Sequence, residues 1–328
     1  MVLRSPGPAS THALVREERT PSSPGAGEVL VEVGACGVCR TDLQIVEGAL
    51  AARRLPIVPG HQIVGRVVSV GAGVVDRRVG DRVGVGWLAS TCGVCPKCRS
   101  GRENLCVAAR FTGWDVDGGY SAHAIALADF TFPIPESFGD LEAAPLLCGG
   151  IIGYRALERS RIAPGEKLGL FGFGASALIT IQMARYRGCR VFVFSRSDRE
   201  RARALELGAE WAGAYDEAPP EPLDAAVTFA PSGDVVLSAV RACDRGATVA
   251  INAIHLDRIP EFSYDQLWWE RSLVSVANYT RADATAFLAL AAEIPIRTTV
   301  DVFDLEDANG ALARLSESKI AGAAVLRV

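Results

Sequence analysis

No apolar run in this chain reaches the ~18 residues needed to span a bilayer, because Gly or a charged residue interrupts each one. Met1 to Arg16 also lacks the hydrophobic region of a signal peptide. These absences exclude a membrane-spanning helix and a secretory leader, so the expected location is the cytoplasm. Basic blocks are missing too. With 34 Lys plus Arg against 38 Asp plus Glu the net charge is −4, which argues against nucleic acid or an anionic membrane and points to a small-molecule partner. Internal repeats are absent, and the one low-complexity stretch, Ala218 to Pro222, reads as a Pro-rich surface turn. Aromatic residues are scarce at 7%, but apolar residues as a whole reach 49%, so the chain can bury a large surface and is neither disordered nor collagenous. Its 328 residues suit about two domains of ordinary size.

What is present in unusual placement is cysteine. Nine occur, at positions 36, 39, 92, 95, 98, 106, 148, 189 and 243. The odd total weakens a fully paired disulfide framework, and in a reducing compartment clustered thiols are more often metal ligands or catalytic groups.

Two textures follow one another along the chain. Short Val-rich strands at 29–33, 65–70 and 81–85, punctuated by Gly and Pro, suggest an all-β unit. After Gly149 strands alternate with helices, which is the α/β pattern. A helical stretch at 154–158 and a strand at 167–171 lead into Gly172-Phe173-Gly174. Ala177, Leu178, Ile181 and Ala184 then recur at helical spacing, and Gly188 is a natural stop. Val191 to Phe194 is a strand without polar alternation, as expected when helices cover both faces of a sheet. Ser197-Asp198-Arg199-Glu200 has capping-box spacing and opens a helix to Leu207. Later strands are expected at 223–229, 247–251 and 273–276, with a helix at 235–243, and a sheet of six strands fits. The segment from Ile294 onward ends on an apolar strand, 323–326, which we expect to rejoin the first domain.

Three constellations carry chemistry. The first is Cys92-x2-Cys95-x2-Cys98-x7-Cys106, in a loop rich in Lys, Arg and Gly that has no hydrophobic core of its own. Four thiolates at such spacing can close a tetrahedron around zinc with no open position, the signature of a structural site. An iron–sulfur cluster also takes four thiolates but ranks below zinc, because a mixed-ligand set accompanies this cage. That second set is Cys39, His61 and Cys148, matching the three protein ligands of a catalytic zinc with an open fourth position. Each is weak alone, since free cysteine is among the most buried residue types.

The third is Gly172-x-Gly174-x-x-Ala177 between a strand and a helix, where a dinucleotide-binding turn requires it. The first Gly permits the tight turn, the second lets the pyrophosphate approach the backbone, and Ala177 permits close helix packing. Gly172, Phe173, Gly174, Ala175 and Ser176 are therefore candidate cofactor contacts. The strand that follows ends on Ser195 and Arg196, where NAD enzymes place an acidic residue. A hydroxyl and a guanidinium suit a 2′-phosphate, which favours NADP over NAD, although Asp198 dilutes the positive field.

Taken together the sequence resembles the zinc-dependent alcohol dehydrogenases of the medium-chain dehydrogenase/reductase superfamily, nearest to the bacterial zinc-binding group. The resemblance covers nearly the whole chain. It rests on Gly37-Val38-Cys39-Arg40-Thr41-Asp42, Pro59-Gly60-His61, Gly80-Asp81-Arg82-Val83, the four-cysteine lobe through Asn104-Leu105-Cys106, Asp117-Gly118-Gly119-Tyr120, Ala144 to Cys148 and the glycine turn. It implies a GroES-like β-barrel catalytic domain with an inserted Rossmann domain: 1–149 with a zinc lobe at about 90–108, then 150–285 for the cofactor, then a C-terminal return over 286–328. The active site would lie in the cleft between the domains. Cys39, His61 and Cys148 would hold a catalytic zinc that stabilises an alkoxide, Thr41 would pass the alcohol proton toward the cofactor ribose, and Asp42 would orient His61. Arg40 would contact the cofactor pyrophosphate, Trp87 and Trp114 would line an apolar substrate pocket, and the chain would form a homo-oligomer, dimer or tetramer, through edge strands of the Rossmann sheets.

Two positions depart from the family pattern. Gln62 stands where Gly-His-Glu is usual, and Gln44 stands where several members carry a proton-releasing histidine. Neither removes a zinc ligand. The expected activity is interconversion of primary alcohols and aldehydes with NADP(H). The alternatives are a polyol or sugar dehydrogenase, disfavoured because Cys148 fills a position where a carboxylate is common, and a non-catalytic nucleotide-binding zinc or thiol sensor.

Overall fold

The computed structural model describes residues 1–328. The chain divides into two compact units: Met1–Cys148 with Asn278–Glu293 and Arg297–Val328, and Gly149–Ala277 with Ile294–Ile296. The second crossing lies at 277/278, earlier than the 285 expected from sequence. Residue 285 falls inside the helix Arg281–Glu293, whose first residue is ion-paired to Glu103 of the first unit.

The first unit is built on a mainly antiparallel sheet in the order 300–304, 323–327, 28–38, 62–70, 82–85 and 131–133, with 123–127 also pairing along 28–32. The terminal strand Ala323–Arg327 pairs antiparallel with the long strand, Leu326 opposite Cys36. Two of these strands run further than their apolar runs predict, Glu28–Val38 and Gln62–Val70. The glycines that read as breaks are the reason they can pair. A Cβ on Gly65 would lie 2.1 Å from the Glu32 carbonyl, and one on Gly37 2.5 Å from the Gln62 side chain. At Gly65 the backbones approach too closely for any side chain, and at Gly37 the missing Cβ leaves room for the Gln62 side chain. Two bulges, between Leu30 and Val31 and between Val33 and Ala35, absorb the resulting register shifts.

The second unit holds a parallel six-stranded sheet in the order 211–213, 190–194, 167–171, 223–228, 243–251 and 272–275. In chain order this is 3-2-1-4-5-6, the doubly wound arrangement whose strand order reverses beside Lys167–Phe171. Trp211–Gly213 had no strand signal because it has only three residues, one a glycine; Trp211 packs at the edge of the Phe194 ring with centroids 5.0 Å apart. The unbroken apolar strands are buried as expected, and Phe171 stacks on Phe194 at 4.0 Å between neighbouring strands. No helix is long and apolar enough to cross a membrane.

Candidate metal centres and cofactor turn

Strand register assembles the mixed-ligand set. Glu28–Val38 and Gln62–Val70 are antiparallel with Gly37 opposite Gln62, so Cys39, just beyond one strand, and His61, just before the other, emerge at the same end of one ladder. Cys148 arrives from a third direction, at the end of the 3-10 turn Ala144–Leu147. Leu147 packs where a Cβ on Gly84 would be, at 2.5 Å, which docks that turn on the neighbouring strand 82–85. The two sulfurs and the His61 nitrogen lie within 4.8 Å of one another. One tetrahedral zinc with bonds of about 2.0–2.3 Å would draw such ligands to edges of about 3.4–3.8 Å, so the donor set fits a single ion.

Asp42 prepares the histidine. It sits on the first turn of helix Arg40–Glu47, three residues after Cys39, and its Oδ2 accepts the Cys39 backbone N–H at 2.9 Å. Its Oδ1 lies 2.8 Å from His61 Nδ1, and both side chains are buried. A carboxylate only accepts, so Nδ1 carries a proton toward Asp42, and Nε2 is the nitrogen that would ligate a metal once its own proton is displaced. Burial alone would lower the His61 pKa, but the Asp42 charge and hydrogen bond, followed by Cys39, push it up to about 10. The Cys148 thiol holds Cys39 well below its usual value against the opposing effect of burial, while the same bond and burial hold Cys148 well above. Binding a cation would require both thiols to give up their protons.

The lobe cysteines make a second cage. Sγ separations are 3.5 Å for Cys95–Cys98, 3.6 Å for Cys92–Cys106 and 3.9 Å for Cys92–Cys98. Zinc–sulfur bonds of ~2.3 Å in a tetrahedron require sulfur–sulfur edges of about 3.8 Å, whereas a disulfide requires about 2.05 Å. Backbone N–H donors of Val94 and Cys95, then the Cys106 thiol, lower the Cys92 pKa to about 6. Burial and then Cys95 raise Cys98 to about 11.

At the cofactor turn, Gly172 has φ +93°, and a Cβ on it would lie 2.9 Å from the Ala230 nitrogen, on the adjoining strand's exit at the order reversal. Gly174 is exposed, nothing lies within 4 Å of its missing Cβ, and it caps helix Ala175–Tyr186. That open notch at a helix N-terminus suits a pyrophosphate. Ala177 is fully buried. Ala175 and Ser176 are half-buried on the first turn, while the Phe173 side chain is buried, which leaves only its main chain for a ligand.

The strand end differs from expectation. Ser195 is buried and donates its hydroxyl to Glu200 at 2.5 Å, while accepting the Ser197 N–H at 3.1 Å. Its hydroxyl is therefore committed inward, and Arg196, exposed and without an ion pair, is the group of that pair left to face a phosphate. Glu200 explains the change: its N–H donates to Ser197 Oγ as the capping box predicts, but its carboxylate turns to Ser195 instead of completing the box.

Arg40 is exposed and Thr41 half-buried at the start of helix 40–47. Trp87 stands edge-on to His61 at 4.9 Å and stacks on Phe111 and Trp114. Trp114 is more encumbered than a simple pocket wall: Arg53 covers its ring at 3.7 Å and its Nε1–H donates to the Ala51 carbonyl at 2.9 Å. Gln62 is buried, and Gln44 keeps a buried Oε1 with no donor. Sequence reading attached no role to Tyr120. The glycine pair before it was the available signal, and its hydroxyl reaches Asp42 Oδ2 at 3.3 Å. Burial, then the Asp42 charge, holds its pKa well above the usual value, so the phenol remains a donor.

Residues 25–136 match the model of the alcohol dehydrogenase GroES-like domain, and residues 177–293 that of the zinc-binding dehydrogenases. A probable alcohol dehydrogenase AdhA of Mycobacterium tuberculosis is 49% identical, with 99% of this chain and 96% of that protein aligned. An alcohol dehydrogenase of Geobacillus stearothermophilus is 35% identical over 92% of each. Among solved structures, a cinnamyl alcohol dehydrogenase of Sorghum bicolor superposes with a TM-score of 0.90 at 26% identity, covering 99% of this chain and 97% of that one. A cobalt- and zinc-bound thermostable alcohol dehydrogenase of Pyrobaculum aerophilum gives 0.90 at 25%, covering 100% and 98%. These likenesses span both units and run along nearly the full chain, and by them the protein belongs to the zinc-dependent alcohol dehydrogenases of the medium-chain dehydrogenase/reductase superfamily.

Proposed function

We propose that this alcohol dehydrogenase interconverts primary alcohols and aldehydes, with a catalytic zinc held by Cys39, His61 and Cys148 and a structural zinc held by Cys92, Cys95, Cys98 and Cys106. The observation that carries the reading is the convergence of two thiols and a carboxylate-oriented imidazole within 4.8 Å. Bound zinc supplies Lewis acidity, lowering the pKa of an alcohol oxygen and polarising a carbonyl. The chain's own residues do the rest. Asp42 fixes the His61 tautomer, and the half-buried Thr41 hydroxyl takes the alcohol proton toward the cofactor ribose. Trp87, against His61, forms an apolar wall for the substrate, with Trp114 stacked behind it. Gln44 offers an acceptor but cannot titrate near neutrality, so proton release to solvent runs without a protein group of pKa near 7 at that position.

The cofactor is NADP(H) in preference to NAD(H), held by Arg40 and by the turn from Gly172 to Ser176. Exposed, unpaired Arg196 supports the preference, whereas the Glu200 carboxylate behind Ser195 reduces the positive field. The unit of 1–148 with 278–293 and 297–328 takes the catalytic role, and that of 149–277 with 294–296 takes the cofactor role. We place the enzyme in the cytoplasm as a homo-oligomer. The half-exposed edge strand Ser272–Ser275, beside exposed Tyr264, Trp268 and Trp269, supports self-association. The test is zinc content per chain together with steady-state reduction of an aldehyde panel with both cofactors. Two zinc ions and NADPH-dependent turnover are expected, and cofactor binding without turnover on any aldehyde would overturn the reading.

A further inference from the structure

The motif Asp117-Gly118-Gly119-Tyr120 lies directly on the segment that carries the proposed zinc ligand His61. The Gly118 N–H donates to the Val58 carbonyl at 2.7 Å, Gly119 to Gly60 at 2.9 Å and Tyr120 to Pro59 at 3.0 Å. In return the Val58 N–H donates to Asp117 Oδ1 at 3.0 Å. The glycines make this clasp possible. A Cβ on Gly118 would lie 2.0 Å from the Gly60 carbonyl oxygen, and one on Gly119 2.4 Å from Ile63. Gly60 itself, at φ +96°, leaves a notch in which the Tyr120 ring sits; a Cβ there would lie 2.3 Å from that ring. The ring is thus locked beside the residue preceding His61, and its hydroxyl ends on Asp42 Oδ2.

Asp42 is a fully buried carboxylate, and its charge is tolerable only if both oxygens are hydrogen-bonded. Oδ1 serves His61, and Oδ2 receives the Cys39 N–H at 2.9 Å and the Tyr120 hydroxyl at 3.3 Å. One carboxylate therefore touches the chain at two of the three proposed ligands. Its plane sets the direction of the imidazole, and Tyr120 is the side-chain donor on its second oxygen.

We infer that Tyr120 is a positioning residue of the catalytic metal centre, acting through Asp42 to hold His61 in its ligating direction and so slowing loss of the ion. The inference rests on the reading that zinc is held by Cys39, His61 and Cys148. Tyr120→Phe keeps the ring in the Gly60 notch and removes only the hydroxyl.

The test follows zinc release from the zinc-loaded full chain to a chromogenic chelator. The phase due to the three-ligand site is identified as the one missing from Cys148→Ala, and the four-cysteine phase serves as internal control for folding. Tyr120→Phe is expected to speed the three-ligand phase about 10-fold, the low end for loss of an outer partner of a metal ligand, and to leave the four-cysteine phase unchanged. In the Asp42→Asn background the same substitution should have little further effect, because the hydroxyl acts through the carboxylate. An unchanged or slower three-ligand phase, acceleration of both phases together, or full additivity with Asp42→Asn would overturn the inference while leaving the zinc reading intact. If Cys148→Ala releases the same zinc as the parent chain, the zinc reading itself fails.

Discussion

Arg281 spreads its Nε and Nη2 across the carboxylate of Glu103, at 3.1 and 2.9 Å, and donates its backbone N–H to the same group at 2.8 Å. Glu103 is nearly buried and lies three residues before Cys106, so this ion pair fastens the cysteine lobe to the start of helix Arg281–Glu293. Tyr279 reinforces the junction by accepting the Leu88 N–H on its hydroxyl at 3.2 Å.

Replacing that carboxylate by an amide leaves Arg281 one neutral acceptor at this site and the exposed Asp129 at 3.7 Å as its remaining charge partner. Because Arg281 is 39% exposed and can rehydrate, we expect Glu103→Gln to cost about 1–3 kcal/mol rather than the full penalty of a broken buried pair. Thermal unfolding of the zinc-loaded protein at neutral pH measures it.

The same pair has a signed pH dependence. Burial would raise the Glu103 pKa, but the Arg281 hydrogen bonds and charge outweigh it and bring the pKa below the usual 4.5. A depressed carboxyl pKa contributes stability that is fully present above 4.5 and is lost as pH falls through the folded value. The stability gap between the parent chain and Glu103→Gln should hold constant from pH 6 to 8 and shrink as acid is added below about 4.5. A gap that widens in acid would contradict the assignment.

Cys148→Ala removes one ligand of the three-ligand set and none of the lobe. Turnover should fall to background while about one zinc per chain remains, as read by metal analysis and aldehyde reduction on the same sample. Retained turnover would reject Cys148 as a ligand.

Arg196→Ala should raise KM for NADPH by about 10-fold or more and leave KM for NADH within about 2-fold, since a guanidinium lost from a phosphate removes roughly 1.5–3 kcal/mol. With the Ser195 hydroxyl already given to Glu200, Ser195→Ala should change the NADPH:NADH ratio far less. Equal effects of Arg196→Ala on both cofactors would remove the basis for NADP preference.

Gly172→Ala places a side chain at φ +93° and 2.9 Å from the Ala230 nitrogen. The left-handed backbone alone costs about 1–2 kcal/mol. Gly172→Ala should therefore lower the melting temperature, whereas Gly174→Ala should weaken cofactor binding by filling the notch that suits the pyrophosphate, so fluorescence titration with NADPH, paired with melting curves of both apoproteins, separates the turn's folding role from its binding role. Gly174→Ala should melt like the parent chain, because its Cβ meets nothing.

Local signals in the chain were enough for whatever depends on neighbours in sequence. Four cysteines spaced over one loop can reach one ion whatever the rest of the chain does, and the sulfur edges of 3.5–3.9 Å agree with that spacing. The glycine turn could be placed because a strand and a helix adjoin it, and the apolar strands of the parallel sheet announce their two covered faces. Glycine was the misleading letter: Gly34 and Gly37 read as interruptions, yet both lie within the strand Glu28–Val38, where the missing Cβ atoms leave room for the Asp140 and Gln62 side chains.

Other features were decided by pairing across long stretches of chain. The ladder register of Gly37 with Gln62 brings Cys39 beside His61, and the docking of Leu147 on Gly84 delivers Cys148. The direction of the Ser195 hydroxyl depends on a carboxylate one helical turn further on, and the link from Tyr120 to Asp42 spans 78 positions. A sequence specifies which groups can donate, accept or ligate. Only the folded chain excludes water around them and fixes their directions, and that exclusion turns Asp42 from an acidic residue on an amphipathic helix into the buried group that orients His61.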